Sequence, residues 1–147
     1  MDLMLDVNVV LDHIGRREPF YELSRRVCLL GIIGEATTYL STNMATDLYY
    51  VLRKDYGSYE AQRMIEEDLS FLRFVGVSPD DVTAALAQKW PDFEDCLVAH
   101  CARKVNADYL ITRNVKDFAR SSVRALTPEQ LFAELEARGL VYEEVDW

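Results

Sequence analysis

Cysteine, proline, basic charge and long apolar runs are all scarce in this 147-residue chain. Its three cysteines, Cys28, Cys96 and Cys101, are an odd number without CxxC spacing. That argues against a disulfide scaffold or a cysteine zinc site and suits a reducing cytoplasm. The longest apolar run, Val27 to Ile33, falls far short of the ~20 residues that span a bilayer, so no membrane association is expected. Met1-Asp2-Leu3-Met4-Leu5-Asp6 carries acids where a signal peptide carries bases, so export is not expected either. Only four prolines and six glycines are present, and no linker, repeat or low-complexity segment is visible.

What remains is an ordinary globular composition, 50% hydrophobic and 28% charged, and a length that suits a single domain over residues 1–147. The net charge of −9 disfavours nucleic acid as a partner, but its distribution weakens that inference. From Pro128 onward, in an acidic C-terminal helix and tail, six acids face one base, Arg138. Before it, bases cluster at Arg16–Arg17, Arg25–Arg26, Arg53–Lys54, Arg103–Lys104 and in the run Arg113, Lys116, Arg120 and Arg124. Taken singly, each cluster is the solvated face of a helix; together they leave room for phosphate contacts.

Short apolar runs at Leu3–Asp6, Thr37–Leu40, Phe74–Val77, Tyr109–Thr112 and Val123–Leu126 read as buried strands. Helical periods lie between them. One begins at Asn8, and one opened by Pro19 runs to about Gly34. A third is capped near Ser41–Asn43 and stopped by Gly57, and a fourth passes through Ala61, Ile65, Leu69 and Leu72. Ser78-Pro79 opens a helix to about Gln88, Asp92 caps another, and Thr127-Pro128-Glu129-Gln130 is a capping box for the last, which stops at Gly139. Strands alternating with helices, without hairpin signals, predict an α/β three-layer sandwich around a mostly parallel sheet of about five strands.

In such a sheet the functional crevice lies beyond the carboxyl ends of the strands. Asp6 and Thr112 end strands there. Asp47 lies in the opening turns of a helix and Asp117 follows a strand closely, while Asp92 and Asp95 require Pro91 to turn the chain toward the same end. Asp92 and Asp95 fit helix-capping and dipole roles, Asp47 a first-turn role and Asp117 a turn role. Asp6 is harder to dismiss, since a carboxylate ending a buried strand is costly without a partner. Four or five converging carboxylates repel unless a cation neutralises them, and Mg²⁺ or Mn²⁺ is the natural choice for hard oxygen ligands near a phosphate. Two such ions would activate water against a phosphodiester.

Leu5-Asp6-Val7-Asn8-Val9-Val10-Leu11-Asp12, Asp92-Phe93-Glu94-Asp95-Cys96-Leu97 and Tyr109-Leu110-Ile111-Thr112-Arg113-Asn114-Val115-Lys116-Asp117-Phe118 together resemble the three segments of a PIN domain, from about Leu3 to Leu126. The resemblance implies a metal-dependent ribonuclease whose acidic positions fall on Asp6, Asp47, Asp95 and Asp117. Asp6, Asp95 and Asp117 would bind the metal, with Asp92 an extra ligand or cap. Asn8, Thr112 and Asn114 would order them by hydrogen bonds, and Arg113 and Lys116 would steer the RNA backbone. Many stand-alone members of this length resemble the toxin halves of VapBC-type toxin–antitoxin pairs, which implies an antitoxin partner, and homodimers are frequent. One departure is Asp47, where the family usually has glutamate. Another is Cys96, where it tends to have a small residue, and which is expected to be a buried neighbour.

Asp6-Val7-Asn8-Val9-Val10 also partly mimics the nucleophile segment of haloacid-dehalogenase-type phosphatases. Asn8 stands where their general acid belongs, and an amide cannot protonate a leaving group. A response-regulator receiver fits less well, because Val77-Ser78-Pro79 lacks the aspartate it needs. From a different class, an inactive PIN-like scaffold binding protein or RNA is the rival, favoured by Asp47 and the net acidity.

Overall fold

The computed structural model describes residues 1–68 and 70–142. Leu69, expected in the fourth helix, and the tail acids Glu143, Glu144 and Asp146 lie outside the described residues. Five strands, β1 (Asp2–Leu5), β2 (Thr37–Ser41), β3 (Leu72–Val75), β4 (Tyr109–Ile111) and β5 (Ala125–Leu126), form one sheet in the order β3-β2-β1-β4-β5. All four pairings are parallel, with registers such as Met4↔Tyr39 and Met4↔Leu110. Seven α-helices are seen among the described residues: α1 (Val7–Ile14), α2 (Tyr21–Ile32), α3 (Thr42–Tyr56), α4 (Ser58–Asp68), α5 (Pro79–Gln88), α6 (Phe93–Lys104) and α7 (Pro128–Ala137). None of the described helices is long and apolar enough to cross a membrane.

Leu3–Leu5 of β1 and all of β4 are apolar and buried, as central strands covered on both faces must be. The chain runs outward from β1 through β2 to β3, then crosses back over β1 to β4. Right-handed crossovers therefore put the helices of the two directions on opposite faces of the sheet. α6 covers β1 and β4 from one face with α5 packed against it, while α2 packs against both α1 and α7 over the other. The reversal leaves β1 and β4 as neighbours whose chains diverge at their carboxyl ends, which is where parallel α/β sheets open a crevice.

Several boundaries shift from the sequence reading. β3 is Leu72–Val75 rather than Phe74–Val77, because Leu72 and Val75 face the core while Arg73 and Phe74 are exposed. Leu72 accordingly belongs to this edge strand, not to the preceding helix. β5 shrinks to Ala125–Leu126, and α2 begins two residues after Pro19. A short 3₁₀ turn, Val115–Phe118, follows β4.

Candidate active site

Asp6 leaves β1 with extended backbone and stands at the N-cap of α1, yet its side chain makes no cap bond. Instead Oδ2 accepts a 2.8 Å hydrogen bond from the Thr112 hydroxyl at the end of β4. The strands bring the two residues side by side: the Asp6 N–H donates to Ile111 O and the Thr112 N–H to Leu126 O. Burial pushes the Asp6 carboxyl above its usual range, while Thr112, the Val7 N–H and Arg113 pull it back and Asp117 adds to the rise. The Thr112 oxygen also accepts the Asn114 N–H at 3.1 Å, and the Asn114 carbonyl takes the Asp117 N–H at 3.0 Å. Asn114 thus orders this turn through its backbone.

From the opposite side comes the N-terminus of α6. Asp92 caps it, its Oδ1 accepting the Asp95 N–H at 3.1 Å. The Asp95 carboxyl is pushed up to about 7, first by burial and then by the charges of Asp92, Asp6, Asp117 and Glu94. Three distant stretches of chain therefore meet electrostatically: Asp6 after β1, Asp95 on α6 and Asp117 after β4. Asp47, half-buried on α3, reaches the group through Glu94, whose carboxyl is raised by burial and by Asp47, Asp92 and Asp6. Among the described residues, however, no three His, Cys, Asp or Glu side chains lie close enough together to hold an ion. The acids repel one another in a shared crevice without closing into a chelate. In donor chemistry and unbalanced negative charge they suit a hard divalent cation.

A pocket of ≈ 270 Å³ opens on Asp92, Asp95 and Asp117, with Trp90, Lys116 and Arg120 also in its lining and Asp6 and Asp47 outside it. Lys116 is exposed at its wall. Arg113 has a different neighbourhood from the one the sequence suggested. Its Nε lies 3.5 Å from Asp12 Oδ2, and its guanidinium sits 4.2 Å over the Phe20 ring. Asn8 is half-buried one residue into α1, and Cys96 is buried beside Ala85 and Leu97. Sequence reasoning passed over two acids, Glu94 and Asp12. The first adjoins Asp95 in an acidic helix start, a visible signal; the second closes the Leu5–Asp12 segment of the PIN resemblance but was given no role.

A PIN domain family model matches residues 2–116 of the chain. The chain belongs to the PIN domain family. Among solved structures, the PIN domain is similar to VapBC2 from Rickettsia felis, bound to a DNA fragment from their promoter (24% identity, TM-score 0.64, covering 86% of this chain and 98% of that one). It is also similar to VapBC-1 from nontypeable Haemophilus influenzae (21%, TM-score 0.64, 88% and 99%). A third likeness is to VapC20 from Mycobacterium tuberculosis, a Sarcin-Ricin loop cleaving toxin (13%, TM-score 0.59, 74% and 86%). At these identities the likeness is one of fold. The search of curated proteins found no match.

Proposed function

We propose that this PIN domain is a divalent-metal-dependent endoribonuclease of the toxin type, acting in the cytoplasm with RNA as substrate. What supports the reading is the mutual repulsion of Asp6, Asp95 and Asp117, carboxylates from three distant stretches of the chain. Asp6, Asp95 and Asp117 would hold the ion, with Asp92 at its margin and Asp47 as the fourth acid. Mg²⁺ or Mn²⁺, when bound, supplies charge neutralisation and activation of water for in-line attack on a phosphodiester. Thr112 fixes the Asp6 carboxylate by its hydroxyl, and the Asn114 backbone holds the turn that carries Asp117. Lys116, exposed on the pocket wall, would meet a phosphate of the substrate.

VapBC complexes among the fold neighbours support an antitoxin protein as partner for this chain, and the PIN resemblance alone adds a second copy of itself. The test is incubation of the purified protein with RNA and Mg²⁺ or Mn²⁺. Cleavage is expected with either ion, lost in chelator and lost in Asp95→Asn with folding retained; full activity in Asp95→Asn overturns the assignment. A second reading, a non-cleaving scaffold, draws on the shorter Asp47 carboxylate and on the acids' failure to close into a chelate. It gains if neither wild type nor Asp6→Asn binds either ion.

A further inference from the structure

Arg113 is occupied in a way that neither substrate binding nor metal binding requires. Asp12 is wholly buried in α1, and neither of its carboxylate oxygens makes a well-formed hydrogen bond among the described residues, the buried Ser24 hydroxyl nearby giving its charge only the weakest of its favourable contacts. A carboxylate so placed is costly unless opposite charge faces it. Arg113 Nε faces it at 3.5 Å and Arg17 Nη1 at 3.7 Å. The Arg17 side chain is 42% exposed and that of Arg113 20%, so solvent screening leaves most of the compensation with Arg113. The Phe20 ring holds the guanidinium from another side at 4.2 Å.

The preceding residue, Thr112, is the one whose hydroxyl binds Asp6. Two successive residues therefore tie the segment after β4 to α1: Thr112 to Asp6 at the helix start, and Arg113 to Asp12 within the helix. The geometry assigns Arg113 a positioning role: through Asp12 and Phe20 it fixes the Thr112–Asp117 segment, and with it the approach of Asp6 to Asp117. What the positioned site then does rests on the ribonuclease reading; the tie itself does not.

Three variants of the full chain test this: Arg113→Gln, Asp12→Asn and the double. Urea unfolding should show Arg113→Gln destabilised and the double largely restored, because removing the Asp12 charge removes its need for a partner. In that restored double, the Asn114 and Asp117 amides should still exchange hydrogen faster than in wild type. RNA turnover should fall about 10–100-fold in kcat with KM little changed, as for other residues that orient a metal site from outside it. A double variant no more stable than Arg113→Gln overturns the inference, as does one with wild-type exchange and kcat. A raised KM with kcat intact and a salt slope shallower by about 1 also overturns it, marking Arg113 as a phosphate contact instead. Should the wild type cleave no RNA, the ribonuclease reading falls, while unfolding and amide exchange still decide the positioning role.

Discussion

Asp95 shares its crevice with four other acids, so proton binding there is coupled to folding. Its carboxyl titrates near 3.8 when unfolded and at about 7 in the folded protein. Between those values the folded state binds more protons, so without metal this group lowers stability as pH rises from about 4 to 7. Asp95→Asn should be more stable than metal-free wild type at neutral pH and should flatten that slope in urea titrations; an unchanged slope would contradict the crowding. Asp81 works in the opposite sense. Buried at the start of α5, it accepts from Lys104 at 2.7 Å, lies 3.1 Å from His100 and closes a capping box with Ser78. The Lys104 contact foremost holds its carboxyl well below the ordinary range. Its contribution is therefore present above about 3.8 and is lost as pH falls further. Asp81→Ala should lose about 1–2 kcal/mol at pH 7, with the gap closing below pH 3.8. Asp6 stood out as a carboxylate ending a buried strand, whereas cap and turn roles account for Asp95 and Asp117 singly, and only the PIN resemblance assigned those two to the site. The role of Asp12 was not legible, since only the fold puts Arg113 beside it.

Helices with explicit start chemistry were read almost to the residue. Ser78-Pro79 and Thr127-Pro128 both open helices with proline just inside, as read; the capping box at Thr127 was foreseen, whereas the one that Ser78 closes with Asp81 was not. Replacing Thr127 by Ala should cost about 1 kcal/mol in thermal or urea unfolding, since its oxygen receives the Gln130 N–H. The edge strand β3 was misplaced by two residues because half its side chains are exposed and its pattern is not alternating. The 3₁₀ turn after β4 is too short to leave a period. Gly31 on α2 carries a constraint that periodicity does not express. A Cβ there would meet Thr38 Oγ1 at 2.7 Å and the Phe71 ring at 3.3 Å. Thr38 cannot swing aside without stranding a buried hydroxyl now donated to Phe71 O. Gly31→Ala should therefore destabilise by about 1–2 kcal/mol, although alanine ordinarily gains ~1 kcal/mol over glycine inside a helix. A stabilised variant would show that α2 and β2 have room to separate.

Across the whole molecule, the parallel sheet and its reversal between β1 and β4 bring acids from scattered sequence segments within reach of one another's charge. The parallel architecture was legible because apolar runs alternate with helical periods. The pairing order β3-β2-β1-β4-β5 was not, since parallel neighbours leave no turn signal in the chain. Calorimetric titration of the metal-free protein with Mn²⁺ at pH 7.5, in wild type and Asp6→Asn, examines that convergence most directly. Saturable binding to wild type that is lost or strongly weakened in Asp6→Asn is expected. Equal affinity in the two proteins, or none in either, would mean that these carboxylates do not form a common cation site.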